Sequence, residues 1–341
     1  MAQAYDAVLV VAFGGPEGPD DVLPFLENVL RGKNVPRERM LAVAEHYKLF
    51  GGKSPLNEQT RALVDALRSE LESHGPALPV YWGNRNWRPM LPDTLAEMAR
   101  DGVRKALGFF TSAYSSYSSC RQYRENIAEA QRVVGPQAPS VEKLRVYYNH
   151  PGFIEPMIER VRSALEQIPS DRRARTKLLY TAHSIPLSMA EHCDYAAQIA
   201  EASRLVSDAL QHTNDEVVYQ SRSGPPQQPW LEPDVCDALR TAADAGINDV
   251  VVVPIGFLSD HVEVLYDLDI EARNVAAELG INLVRATTVG SHPDFVRMIR
   301  ELILERTAGA PRRALGTFGP SHDVCPEDCC LYPRTRPAPS V

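Results

Sequence analysis

The stretch "VYWGNRNWRPMLPDTLAEMARDGVRKALGFFTS", residues 80–112, sets the architecture because a second stretch repeats its plan. A Val-Tyr run leads to Arg85, Pro92 and Asp93 open a helical pattern, Gly102 closes it, and an apolar run follows. In residues 218–260, "VYQSRSGPPQQPWLEPDVCDALRTAADAGINDVVVVPIGFLSD", the plan returns with Arg222, Pro233, Asp234 and Gly246. Strand, helix and strand in that order make one crossover unit of a parallel sheet. Two copies of the unit predict two related domains facing each other.

Further apolar runs, "DAVLVVAFG", "KLRVYY", "KLLYTAHS", "EVVYQSR", "DVVVVPIGF" and "INLVRATT", alternate with amphipathic segments and read as the remaining strands of an α/β protein. The expected division is 1–150, 151–310 with its last helix free to pack back on the first domain, and 311–341. The last piece is a Pro-rich, Cys-bearing tail expected to be irregular and partly disordered. Ligands of such sheets bind at the carboxyl ends of the strands. There the sequence places "SAYSSYSSC", "AHSIP", "SRSGPP" and "SDHVE".

Composition narrows the function. The 341 residues are 44% hydrophobic and 23% charged, with net charge −8, and offer no general attraction to nucleic acid or to an acidic membrane face. The apolar run near the N-terminus is far below the ~20 residues of a membrane span, and a cytoplasmic protein without a targeting segment is expected. Six cysteines in that compartment argue against a disulfide framework.

Three constellations carry chemistry. In "DHVEVLYDLDIEA", residues 260–272, Glu263, Asp267 and Glu271 recur every four residues, so a helix stacks three carboxylates in a file that begins beside His261. Oxygen ligands so spaced suit a hydrated divalent cation, and His183 of "YTAHSIP" stands at another strand end of the same half. An imidazole opposite a carboxylate suits proton movement or metal binding. The tail places Cys325, Cys329 and Cys330 together, with Cys193 as a fourth donor; zinc, a [2Fe–2S] cluster and metal-free thiols are all consistent with that spacing. Cys120 and Cys236 read as small buried hydrophobes. The Ser/Tyr loop, with Arg31, Lys33 and Ser54, would grip an aromatic ligand bearing carboxylates. "FGGPEGP" lacks the spacing of a dinucleotide loop and the lysine of a P-loop, which leaves a tight turn beside a flat ligand as the better reading.

Taken in order, "FGGPEGP", "HYKLFGGKSPLN", "AHSIP", "SRSGPPQQPWLEP" and "PIGFLSDHVEVLYDLDIE" resemble the ferrochelatases over roughly residues 5–305, and "GNRNW" with the cysteine tail resembles their actinobacterial branch. The resemblance implies two Rossmann-like domains around a central cleft and insertion of Fe²⁺ into a porphyrin with release of two protons. It implies coproporphyrin III as substrate, with protoporphyrin IX, a cobalt or nickel tetrapyrrole chelatase and a non-catalytic haem-binding protein as alternatives. His183 matches the family's active-site histidine and Glu263 its carboxylate partner, one accepting a pyrrole proton and the other binding iron. Asp267 and Glu271 match the acidic path away from the site, and Phe13, Arg31, Tyr47, Ser54 and Tyr123 the porphyrin contacts. A [2Fe–2S] cluster on Cys193, Cys325, Cys329 and Cys330 is implied too, as is a downstream haem-pathway enzyme as partner. The chain departs at Phe13, where several relatives of this branch carry Tyr, and its C-x₃-C-C tail differs in spacing from the animal-type cluster motif.

Overall fold

The computed structural model describes residues 4–32, 35–224 and 227–332. Lys33, Pro225, Pro226 and residues 333–341 lie outside them.

Eight strands form among the described residues: β1 Ala7–Ala12, β2 Val80–Asn84, β3 Lys105–Phe110, β4 Ser140–Lys143, β5 Lys177–His183, β6 Asp215–Gln220, β7 Asp249–Val253 and β8 Asn282–Arg285. They make two four-stranded sheets of identical order, β2-β1-β3-β4 and β6-β5-β7-β8, with every pairing parallel. The repeated sequence plan is thus a repeated topology. β1 and β7 are buried along their whole length, as central strands covered on both faces must be, and both read as unbroken apolar runs. Gly102 and Gly246 close the two equivalent helices with positive φ.

One apolar cluster joins the sheets. It runs from Val8, Val10 and Phe109 through Phe153, Phe295 and Ile299 to Tyr180, Val251 and Val253. The helices Pro151–Leu165 and Pro293–Thr307 supply its middle. The second of these, last in the chain, also packs on the helix Leu56–His74 of the first half. There Arg300 donates 2.6 Å hydrogen bonds to the carbonyls of His74 and Gly75. The halves are further tied by Tyr114 donating to the Ile255 carbonyl and by Asp260 N–H donating to Gln59, both at 2.9 Å.

Two expectations need correction. "KLRVYY" is not the fourth strand: β4 ends at Lys143, and residues 144–148 continue as a buried strap outside the ladder. The strap is shaped by Arg145, which is fully buried and makes a two-armed ion pair with Glu305 of the last helix at 2.8 Å per arm. The tail has no helix or strand over residues 309–332, yet it is docked. Leu315 N–H donates to the Asn149 carbonyl at 2.8 Å, and Asn149 Nδ2 donates to the Gly319 carbonyl at 2.8 Å. Among the described residues no helix is long and apolar enough to cross a membrane.

Candidate active site

The segment that carries the acids is helical but not a simple α-helix. An α-turn, Val262–Val264, leads into a π-helix, Leu265–Ala272, and then into an α-helix, Arg273–Glu278. Four residues advance an α-helix by about 40° beyond a full turn, so a strict four-residue file winds off its face. The wider turn of a π-helix, bonded i→i+5, removes most of that drift. Two files here keep strict spacing of four. Val264, Leu268, Ala272 and Ala276 are buried against Leu179, Val250 and Val252 on the outer face of the second sheet. Glu263, Asp267 and Glu271, each one position earlier, run beside that buried stripe. The four-residue apolar repeat was the sequence signal for the π-turn, and the carboxylate spacing alone did not separate it from an α-helix.

His183 closes β5, and its Nδ1 lies 2.5 Å from the Ser184 carbonyl. That bond assigns the ring proton to Nδ1 and leaves the Nε2 lone pair toward Glu263, with Nε2 and Oε2 3.9 Å apart. The gap is too long for a hydrogen bond, and both atoms are acceptors. Two metal–ligand bonds of ~2.0–2.2 Å span such a distance at a wide angle. The loop after β7 reaches the site only because residue 256 is Gly, since a Cβ there would lie 2.6 Å from the Cβ of Ala182. His261, edge-on to Phe257 at 5.2 Å, has its pKa lowered first by burial and further by His183, while Glu263 opposes the shift.

Asp267 accepts hydrogen bonds from Ser221 Oγ and, at 3.2 Å, from Gln220 Nε2, both at the end of β6. Ser221 adopts φ +61°, a left-handed conformation that L-residues with side chains rarely take. Burial pushes Asp267 up to about 7, and Glu263 and Glu271 add to the shift against the two hydrogen bonds. Glu271 is raised too, by burial and then by Asp234. With a folded-state pKa above the free carboxyl value of 3.8, Asp267 contributes stability at low pH that is lost as pH rises toward about 7. The thermal midpoint of the metal-free protein is therefore expected to fall between about pH 4 and 7. Asp267→Asn should flatten that fall, and divalent cations should reverse it more strongly above pH 7. A profile unchanged by the substitution would remove Asp267 as its source.

Opposite this helix the first half presents rings. Phe13 is 36% exposed and meets Phe25 edge-on, and Phe25 in turn meets Tyr47 and Trp87. Arg85 lies over Tyr123 at 4.4 Å and near Phe13 at 5.7 Å from the ring centroids. It donates to Asn126 and to the Ser118 carbonyl and makes no ion pair among the described residues. His46 stacks on Tyr266 of the π-helix at 3.6 Å, and Val262 packs with Phe25, Leu26 and Tyr47, so the ring-bearing and acid-bearing elements touch. Arg31 is exposed and donates to Asn28. Ser54 is buried, its N–H bonded to the Pro16 carbonyl and its hydroxyl against Gly15, so it props the glycine turn and does not face the cleft. A Cβ on Gly14 would lie 2.9 Å from Trp87 N, and Gly15 N–H donates to Asn57, so this turn is packed against protein groups and cradles no phosphate. Sequence reasoning missed Arg85 and His46. Arg85 was visible as the counterpart of Arg222 in the repeat.

The sulfurs gather at a separate place. His322, Cys325 and Cys329 bring their donor atoms within 4.8 Å of one another, and Cys329 and Cys330 Sγ are 3.6 Å apart. Cys120 was read as an isolated hydrophobe. It is buried, yet it interacts with Cys325 of the tail, which raises the Cys120 thiol together with its burial. Cys193 is coupled to this group through Cys329 and Cys330, and its own thiol donates to the Met189 carbonyl at 3.3 Å.

A sequence model described as ferrochelatase matches residues 5–307. The chain belongs to the ferrochelatase family. It is 58% identical over 335 residues to a ferrochelatase of Rhodopirellula baltica, covering 98% of this chain and 95% of that one. It is 51% identical to the coproporphyrin III ferrochelatase of Streptomyces coelicolor, covering 99% of this chain and 96% of that one. The ferrochelatase fold seen here is shared with solved structures of low identity. SirB from Bacillus subtilis with Fe3+ has a TM-score of 0.56 at 11% identity, covering 90% of this chain and 97% of that one. A multi-domain chelatase-like protein of Deinococcus radiodurans has a TM-score of 0.53 at 17% identity, covering 93% of this chain and 57% of that one.

Proposed function

We propose that this ferrochelatase inserts Fe²⁺ into coproporphyrin III, releasing two protons and forming coprohaem III in haem biosynthesis. The observation that carries the reading is the acceptor-to-acceptor gap between His183 Nε2 and Glu263 Oε2, 3.9 Å wide, at the head of an acid file and opposite a floor of rings. Two acceptors held so close attract a proton or a cation. Iron would arrive past Glu271 and Asp267, the pyrrole N–H protons would leave toward the same carboxylates, and Phe13 would lie against the ring. A planar macrocycle holds its nitrogens in plane, so binding it distorted, at a strain of ~1–5 kcal/mol drawn from contacts remote from the metal, favours metal entry.

Those remote contacts would be to ring carboxylates, with Arg31, Arg85 and Tyr123 as the proposed donors. Arg31→Gln is expected to raise KM for a four-propionate ring more than for a two-propionate ring, with kcat little changed. Equal effects on both rings would place the grip elsewhere. We place the reaction in the cytoplasm, where the four-propionate ring is soluble.

The tail residues also fit a [2Fe–2S] cluster. Cys325, Cys329 and Cys330 would hold it with one body cysteine, Cys193 or Cys120, and bound there it would supply one-electron chemistry and a cross-link between tail and body. Separate Cys193→Ala and Cys120→Ala variants, read by acid-labile sulfide and visible absorption, decide between the two.

The main test is anaerobic Fe²⁺ insertion followed by absorbance, with coproporphyrin III and protoporphyrin IX side by side. Preference for the first supports the proposal, and preference for the second moves the enzyme to the later porphyrin. Insertion of cobalt or nickel alone, or of no metal, overturns it.

A further inference from the structure

Five carboxylates fall within residues 260–272, and two of them, Asp260 and Asp269, have no part in the chemistry above. Asp260 opens the segment, Asp269 lies inside its π-helix, and both meet one cation, Arg285, the last residue of β8. Arg285 Nε donates to Asp269 Oδ1 at 2.8 Å, while Nη1 and Nη2 donate to Asp260 Oδ1 and Oδ2 at 3.0 and 3.4 Å. At most 25% of any of the three side chains is exposed, so water screens the pairing weakly. Asp260 is tied from a second side as well, because its N–H donates to Gln59 Oε1 of the first half at 2.9 Å. Arg273 adds only a longer contact to Asp269, 3.6 Å from an exposed side chain.

This arrangement divides the acids of the segment into two sets. Like charges crowded on one helix repel, and Arg285 offsets two of the five while Glu263, Asp267 and Glu271 keep their file. A planar guanidinium also fixes the direction of each carboxylate it meets, which an ammonium on a flexible stem does not. Glu263 and Asp267 lie between the two anchored residues, so the backbone that carries them is held on both sides.

We propose that Arg285 is a positioning residue for metal handling: by holding Asp260 and Asp269 it sets Glu263 at its distance from His183 and keeps those two acids from competing for the cation. The inference rests on the proposed role of Glu263 and Asp267 in binding Fe²⁺. Groups that orient metal ligands from behind typically change metal affinity or activity by about 10–100-fold when they are removed.

The test uses the full-length protein with Arg285→Gln, Arg285→Lys and Asp269→Asn, each with and without Glu263→Gln. Mn²⁺ is titrated into the porphyrin-free protein and followed by loss of the free-ion EPR signal, since Mn²⁺ prefers oxygen ligands to the thiolates of the tail. Glu263→Gln is expected to weaken Mn²⁺ binding about tenfold in the parent and to have little further effect with Arg285→Gln, because Glu263 is then no longer held in place. In turnover, Arg285→Gln should raise KM for Fe²⁺ about tenfold or more with KM for porphyrin unchanged. Arg285→Lys should resemble Arg285→Gln, and full rescue by Lys overturns the geometric role. Glu305→Ala serves as a variant destabilised far from the segment, and an equal rise in its KM for Fe²⁺ would make Arg285 a structural brace only. A parent-sized effect of Glu263→Gln in the Arg285→Gln background overturns the proposal. If far-UV dichroism shows Arg285→Gln unfolded, Asp269→Asn takes its place under the same criteria. A parent that inserts iron into neither porphyrin defeats the proposed function alone, and the Mn²⁺ comparison still judges Arg285.

Discussion

With His183 replaced by Ala, metal insertion is expected to fall by about 10²–10⁴-fold, the range over which a positioned proton-transfer group contributes. Porphyrin affinity should stay close to that of the parent. The proposed ring contacts, Phe13, Tyr47, Arg85 and Tyr123, all come from the first half, whereas His183 ends β5 of the second. His261 is no substitute, because its ring is packed edge-on against Phe257. Glu263 alone offers a carboxylate without the Nε2 lone pair that faces it, 3.9 Å away. Anaerobic single-turnover absorbance reads the chemistry, and quenching of porphyrin fluorescence reads binding. Parent-like turnover in the variant would overturn the assignment of His183. A parallel loss of porphyrin binding would make it a substrate contact instead.

The second large effect concerns stability. Glu305→Ala is expected to destabilise the protein by about 3–5 kcal/mol, because it strips the fully buried Arg145 guanidinium of both arms of its ion pair. For a chain of this size, that lowers the thermal midpoint by roughly 4–7 °C. Only Arg145→Met with Glu305→Leu, an apolar pair of similar bulk, should recover most of the loss. A midpoint shift under about 2 °C for Glu305→Ala would mean that water reaches the Arg145 guanidinium and solvates it in place of the carboxylate.

Seven of the eight strands and the repeat that relates them were legible, because central parallel strands must be apolar on both faces and two of their helices open with Pro-Asp. β4 was misplaced for a physical reason. "KLRVYY" alternates like a strand, but Arg145 is satisfied by Glu305 and the Arg313 carbonyl in place of a strand partner. Such a long-range ion pair leaves no local trace. Of the candidate site, His183, Glu263, Asp267 and Glu271 come together as the spacing suggested, but the π-turn that aligns the acids had to be read from Val264, Leu268, Ala272 and Ala276. The partnership of Cys120 with the tail was out of reach, since it joins residues about 200 positions apart in the chain.

The two sheets share one strand order, but their loops have parted ways. Those of the first copy offer rings and guanidinium groups, and those of the second offer imidazole, hydroxyl and carboxylates. Two copies of one framework leave each free to specialise while the other keeps its own task. Under the proposed function, selection for a new pigment would act on one inheritance and selection for a new ion on the other. The two preferences could then be exchanged separately, by grafting loops from one half at a time.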